Sequence, residues 1–505
     1  MTEWRAAGLV GDGVRYRSAA GRGVLLATIL GSGLVTLDAT VVNVALPEIA
    51  AELGADFTAL QWTVNAYALT QAAFLLLGGA LGDRYGHRRL FTLGVIWFAV
   101  ASMLCGAAPT TDVLVATRAL QGLGAALLTP ASLAIIEATF HPDDRSAAIG
   151  AWSGLGGLLT ALGPFVGGYL TAAVTWRLIF FINVPFTVVA VWAAFRYVPG
   201  LGEAKPRARL DYAGAVLSAV GLGGVVYALT AGSAAGWWSP IALAAGLAGV
   251  VALGLLVLVE RTHADPLVVL SLFRVHQFTA ANVVTFVVYA ALGGALFLLP
   301  IQLQRVVGLS PLESGTALIP MTIVMLLLSS AAGRLAVRVG PRVPMTVGPL
   351  IAAVGLALLV RVTPEGSYLT TTFPAVVVFG LGLSVTVAPL TWTVLQAAGP
   401  AHAGVASAIN SVVARAATAV AVGTLPVAAG IAGAAALEPE VFADGFRRAM
   451  WIAAALVAAG GVLSFATIRS AATERREPGP EVAQPASCPL QAPPVTTFRA
   501  PRGQV

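Results

Sequence analysis

Residues 79–88 read Gly79-Ala-Leu81-Gly-Asp83-Arg84-Tyr-Gly86-His87-Arg88, and residues 333–342 read Gly333-Arg-Leu335-Ala-Val337-Arg338-Val-Gly340-Pro341-Arg342. Gly, Leu, Arg, Gly and Arg recur at matching places, so the second stretch is a degenerate copy of the first. Each lies between two long apolar segments, and the copies start 254 residues apart. At roughly 30 residues for a span with its loop, about 20 of them helical, that separation holds eight spans rather than six. Two six-span halves with an inserted pair between them follow, fourteen spans in all.

Composition agrees with a chain that lives in a bilayer. Of 505 residues, 58% are hydrophobic and 10% charged, against roughly 25% charged in an ordinary soluble domain. Mean hydropathy is +0.86. So few charges cannot cover a soluble surface of this size, which excludes a cytosolic enzyme, a nucleic-acid-binding protein and a disordered scaffold. A window of roughly 19 to 20 residues places spans at 24–47, 59–81, 90–108, 112–137, 147–171, 178–196 and 211–231. Further spans fall at 240–259, 279–300, 313–333, 345–361, 370–394, 404–434 and 449–468. No polar/apolar alternation suggests a β-barrel. The expected organisation is an N-terminal tail (1–23), a six-helix bundle (24–196), a linker carrying two extra helices (197–278), a second six-helix bundle (279–468) and a proline-rich disordered tail (469–505). The fold class is all-α and polytopic.

Cations are distributed by side. Loops counted alternately from the N terminus carry 22 Lys and Arg on one side and 5 on the other, with Arg118 and Arg415 inside spans. The positive-inside rule makes both termini cytoplasmic, which requires an even number of spans. The net charge of +6 therefore reports topology, and no nucleic-acid partner is expected. Cys105 and Cys488 are too far apart in kind to pair, and all five histidines fall between apolar segments. No metal site is expected.

Several motifs now carry a family resemblance. Gly79 to Arg89 resembles the loop signature of the major facilitator superfamily, and Arg118-x-x-Gln121-Gly122 its fourth-helix signature. Gly163-Pro164-x-x-Gly167-Gly168 resembles the fifth-helix signature of antiporters. Leu37-Asp38-x-Thr40-Val-Val-Asn43-Val-Ala45-Leu46-Pro47, Trp176-Arg177-x-x-Phe180-Phe181-Ile182-Asn183-Val184-Pro185 and Ala403 to Asn410 look like the fourteen-span EmrB/QacA-type drug:proton antiporters. His87 stands where the family usually has Arg or Lys, and Leu159 where the antiporter pattern usually begins with Gly. The resemblance implies the major facilitator fold, two six-helix bundles and two additional central helices.

Asp38 is the one carboxylate well inside an apolar span. Such a group is expensive and marks function by default. Desolvation raises its proton affinity and a nearby cation lowers it, so moving it between environments loads and releases a proton. Arg118 lies at a similar depth and can pair with it, and Gln121, Gly122 and Ala125 continue the same helix face. Asp38 and Arg118 are the expected proton-coupling residues. Asp83, Arg84 and Arg88, with Glu137 at the inner end of the fourth span, are the expected conformational lock; the resemblance implies that Asp83 docks near Ala403 and Gly404. Gly163, Pro164, Gly167 and Gly168 should form a hinge or seal. Substrate-cavity candidates are Asn65, Gln121, Asn282, Tyr289, Trp392 and Asn410. Arg415, near the middle of the thirteenth span, reads as a structural interhelix bond, with a second cavity cation as the alternative.

The expected function is proton-coupled export of amphiphilic drugs or antibiotics by alternating access. The alternatives are proton-coupled transport of a specific metabolite and a transporter-like membrane sensor. No cofactor is expected, the proton gradient being the energy source, and no P-loop is present to bind ATP. Expected partners are a small amphiphilic substrate, protons and the lipid bilayer, with the chain a monomer in the inner (plasma) membrane.

Overall fold

Each apolar run forms a helix because backbone polar groups inside a bilayer can be satisfied only within the segment. The computed structural model describes residues 13–200, 211–235, 239–263, 267–399 and 402–469. Among these, fourteen helices are long and apolar enough to cross a membrane, and the single β feature is an isolated bridge between Val14 and Phe140. The chain is a multi-pass membrane protein. The first half comprises α1 (Ala19–Leu53), α2 (Phe57–Tyr85), α3 (His87–Gly106), α4 (Thr111–Thr139), α5 (Pro142–Ala173) and α6 (Leu178–Tyr197). The inserted pair is α7 (Tyr212–Ala235) and α8 (Pro240–Thr262). The second half comprises α9 (His276–Val306), α10 (Pro311–Val339), α11 (Arg342–Leu359), α12 (Thr372–Ala398), α13 (Ala403–Ala428) and α14 (Pro439–Thr467).

Several helices outrun the apolar segments that announce them. α1 passes through Pro47 to Leu53, where Gly54 adopts φ 62° and its N–H closes on the Ala50 carbonyl. α14 starts at Pro439 rather than 449, on a polar first turn that hydropathy does not register. α13 stops at Ala428, six residues short of the expected end. Part of the expected N-terminal tail is built into the fold: Val14 N–H donates to the Thr139 carbonyl at 2.8 Å, and Tyr16 N–H to Asp144 Oδ2 at 3.0 Å. Residues 1–12 and 470–505, and with them the expected disordered tail, lie outside the described residues.

The repeat seen in sequence reappears as packing. Gly86 and Gly340 both take positive φ, 93° and 82°, where the two loop copies turn, a conformation glycine adopts without strain. α3 lies on α4 so closely that a Cβ at Gly124 would stand 2.7 Å from the Phe98 nitrogen; in the second half, Gly382 meets the Ala352 backbone in the same way. Small residues let helices approach where lipid supplies no hydrophobic drive. α7 and α8 pack on each other, and α7 on α2 and α13, so the inserted pair sits against one seam between the halves.

For convenience, the proximal end of the bundle is where α1 starts, and the distal end is where it stops. At the distal end a single apolar core crosses between halves, joining Val41, Leu46 and Ile49 to Phe297, Leu298 and Leu318. On the proximal part of α5, a Cβ at Gly150, Gly154, Gly156 or Gly157 would meet only open space. The halves are thus closed distally and parted along α5 proximally. We predict that Gly124→Ala, which forces a backbone shift, destabilises the protein by about 1–3 kcal/mol and lowers its thermal unfolding midpoint. Gly254→Ala, on an exposed stretch of α8 with nothing within 4 Å, should leave the midpoint unchanged or raise it.

Candidate functional site

Asp38 lies near the middle of α1, and the structure brings it directly to Arg118 of α4. Arg118 Nη1 donates to Asp38 Oδ2 at 2.6 Å and to Gln121 Oε1 at 2.7 Å, while Gln121 Nε2 donates to Asp38 Oδ1 at 2.8 Å. The three side chains close a ring in which both carboxylate oxygens are engaged. Arg118 and Gln121 reach Asp38 together because residues three apart share a helix face. Arg118 Nε donates to the Thr63 carbonyl of α2 at 3.1 Å, and its guanidinium lies 4.2 Å from the centre of the Tyr67 ring. Tyr67 in turn donates its hydroxyl to the Val35 carbonyl of α1 at 3.3 Å. Asp38 and Arg118 are each 1% exposed, so this pair joins α1, α2 and α4 in a water-poor interior.

The residues following Asp38 on α1 make the distal closure. A Cβ at Gly163 of α5 would collide with the Thr40 hydroxyl, and one at Gly167 would stand 2.8 Å from the Val41 carbonyl. The next residue, Gly168, faces the Pro311 carbonyl, and Gly315 faces that of Pro164. The glycine motif of α5 therefore seats that helix on α1 from one side and on α10 from the other. Gln304 Nε2 donates to the Val44 carbonyl at 2.8 Å and Arg305 Nη2 to the Pro47 carbonyl at 2.8 Å, adding two bonds between α9 and α1.

Other predicted residues fall in different places. Asn410 of α13 donates to Asn282 Oδ1 at 3.2 Å and Thr285 Oγ1 at 2.8 Å, both on α9. Tyr289 is partly exposed and shares a small cluster with Ala290, Ala417 and Ala421. Asn65 is buried and neither of its side-chain polar atoms is hydrogen-bonded. Trp392 is partly exposed on α12. The expected lock residues make contacts of their own. Asp83 faces His87, with Nε2 at 3.3 Å. Arg84 lies over the Tyr85 ring, and Arg88 donates to the Phe195 carbonyl at 3.0 Å and stacks on its ring. Glu137 is exposed and makes no ion pair among the described residues. Asp83 has no described hydrogen bond to the start of α13, where a Cβ at Gly404 would meet nothing within 4 Å.

Sequence reasoning missed Thr63 and Tyr67, which hold Arg118 through a backbone carbonyl and a ring face. It also missed Gln61, whose Nε2 donates to the Val422 carbonyl at 2.6 Å across the seam between the halves. A glutamine in an apolar span was the available signal. The Trp176-Arg177 stretch acts as a distal clasp: Trp176 Nε1 and Arg177 Nη2 both donate to Glu52, at 2.6 and 2.9 Å.

Known proteins share this sequence and architecture. A sequence model described as Major Facilitator Superfamily matches residues 28–211 and 203–422. The methylenomycin A resistance protein of Bacillus subtilis (strain 168) is 36% identical over 397 residues, 77% of this chain and 84% of that one. The tetracenomycin C resistance and export protein of Streptomyces glaucescens is 35% identical over 405 residues, 79% and 75% of the two chains. Among solved structures, a bacterial homolog of the human lysosomal transporter Spinster, inward-facing and unoccupied, superposes with TM-score 0.65 at 20% identity, over 90% of this chain and 98% of that one. A D-xylose-proton symporter gives TM-score 0.63 at 14% identity, over 89% and 98%.

Removing one member of a buried ion pair leaves the other uncompensated, at a cost of about 3–5 kcal/mol. Arg118→Gln should therefore lower the thermal midpoint sharply, and Asp38→Asn in the same chain should recover a large part of the loss. Equal losses in single and double variants would contradict the pairing.

Proposed function

Since the chain belongs to the Major Facilitator Superfamily, a family of transporters rather than enzymes, we propose that it exports amphiphilic small molecules, drugs or antibiotics among them, in exchange for protons. Asp38 carries this reading. A carboxylate buried in a span, matched by one cation, can change charge only by taking or losing a proton, and doing so changes what holds α1 to α4. Relatives named for antibiotic resistance and export support a drug-like cargo and the outward direction.

In this proposal both termini are cytoplasmic, so the distal closure faces outside and the parting beside α5 faces the cytoplasm. The carrier awaits substrate with Asp38 ionised and bound by Arg118 and Gln121. Substrate entry precedes switching, in which the distal contacts of α1 and α5 with α9 and α10 open and the proximal ends meet. From outside, a proton reaches Asp38 and cancels its charge. Arg118 keeps the Thr63 carbonyl, the Gln121 amide oxygen and the Tyr67 ring, so α1 loosens from α4 while α2 and α4 stay joined. The empty, protonated carrier returns, and Arg118 expels the proton inward by recapturing the carboxylate. Each charge moved inward contributes about 2.3 kcal/mol per 100 mV of membrane potential. One chain contains both halves and the whole ion-pair ring, so a monomer suffices.

Substrate-triggered proton movement in inverted membrane vesicles tests the proposal, with lipophilic drugs and antibiotics screened against the native protein and Asp38→Asn. We expect at least one compound to dissipate the pH gradient with Asp38 present and none to do so in the variant. Normal exchange by Asp38→Asn would overturn the assignment.

A further inference from the structure

Arg415 is the second cation placed midway along a membrane helix, and it is held quite differently from Arg118. It lies midway along α13, between the Asn410 bonds to α9 and the Thr418 hydroxyl, which donates to the Tyr289 carbonyl at 3.4 Å. Sequence reading favoured an interhelix bond for it. Among the described residues it makes no hydrogen bond and no ion pair. There α13 packs against α2 and α9, and among the described residues no carboxylate lies within ion-pair distance of Arg415. Asp38, the one carboxylate deep in the spans, has both oxygens committed to Arg118 and Gln121. Yet Arg415 is partly exposed, as are its neighbours from Ser411 to Ala414 and Tyr289 opposite. A guanidinium enclosed without acceptors would be costly; this one is partly exposed, on a helix that packs against α2 and α9 at the seam between the halves.

The charge balance is specific. Asp38 cancels Arg118, so Arg415 leaves the deep groups with one uncompensated positive charge. Its planar fork of five N–H donors matches two coplanar acceptor oxygens better than any other side chain does. The partly exposed Tyr289 on the facing helix offers an apolar ring for the rest of a ligand. We propose that Arg415 anchors the head of the substrate, and that the substrates are amphiphiles bearing one planar anionic group, a carboxylate or a vinylogous acid. A bound monoanion brings the deep site to zero net charge, so the loaded carrier switches without carrying a buried charge. This rests on the export reading above and narrows its substrate class.

Equilibrium binding to the purified full chain in lipid nanodiscs, with no gradient imposed, tests the point. The probes share one apolar body: 2-naphthoate, neutral 2-naphthamide and a naphthylmethylammonium cation. The native protein should bind 2-naphthoate about tenfold or more tightly than the amide, the scale of a charge-assisted bidentate hydrogen bond, and bind the cation most weakly. Arg415→Gln should erase the preference, and Arg415→Lys should keep the charge but lose part of it. Thermal midpoints identify any variant that fails to fold, in which case Arg415→Lys and the native ratio decide. Equal affinities in the native protein, no binding of 2-naphthoate, or a preference that survives Arg415→Gln would each overturn the assignment. Because no proton movement is read, failure here is distinct from failure of proton-coupled export.

Discussion

The ion pair between Asp38 and Arg118 is the constraint on which the rest of the arrangement depends. A carboxylate in the middle of a membrane helix is tolerated only while matched, and matching it requires α1, α2 and α4 to meet at one level. Glycines set that meeting: a Cβ at Gly122 of α4 would stand 2.5 Å from the Tyr67 carbonyl of α2, so only a residue without a side chain lets α4 bring Arg118 and Gln121 onto α1. The charge thus dictates the helix spacing, and the spacing dictates small residues at the crossings.

The same helix carries the consequence distally. Within three turns of Asp38, α1 supplies Thr40 and Val41 to the glycines of α5 and the carbonyls of Val44 and Pro47 to α9. A change in how α1 is held at Asp38 is therefore felt where the two halves close on each other. No relay of side chains is needed, because a helix is rigid along its axis and its two ends share one position. The Glu52 clasp to Trp176 and Arg177 keeps the distal tip of α1 with its own half while the contacts to α9 and α10 are free to break.

Much of this was legible in the sequence, for identifiable reasons. Fourteen apolar runs and a loop repeated at the spacing of eight spans are properties of the chain alone, and hydropathy reports them directly. Helix ends were less legible, since α1 and α14 extend on turns that carry Glu48 and Glu52 or Glu440 and Asp444, which hydropathy does not register. Asp38 and Arg118 stood out because charge in an apolar span is rare, and Gln121 followed from its place on the same face. Thr63 and Tyr67 did not stand out, because a backbone carbonyl and a ring face leave no mark in composition. Asp83, Arg84, Arg88 and Glu137 were grouped by charge and proximity in topology; in the structure Arg88 reaches Phe195 and Asp83 reaches His87. Arg415 looked like a structural tie from sequence, whereas among the described residues it has no hydrogen-bond or ion-pair partner.

Whether Asp38 changes protonation while Arg118 remains its counter-ion is the most direct question to put to the molecule. Infrared difference spectra of the purified protein in nanodiscs, titrated through neutral pH, report the carboxylic C=O stretch of a buried protonated acid. The account predicts a band that grows as pH falls in the native protein and is absent in Asp38→Asn. A titrating band that persists unchanged in Asp38→Asn, or no difference between native protein and that variant across the range, would contradict it.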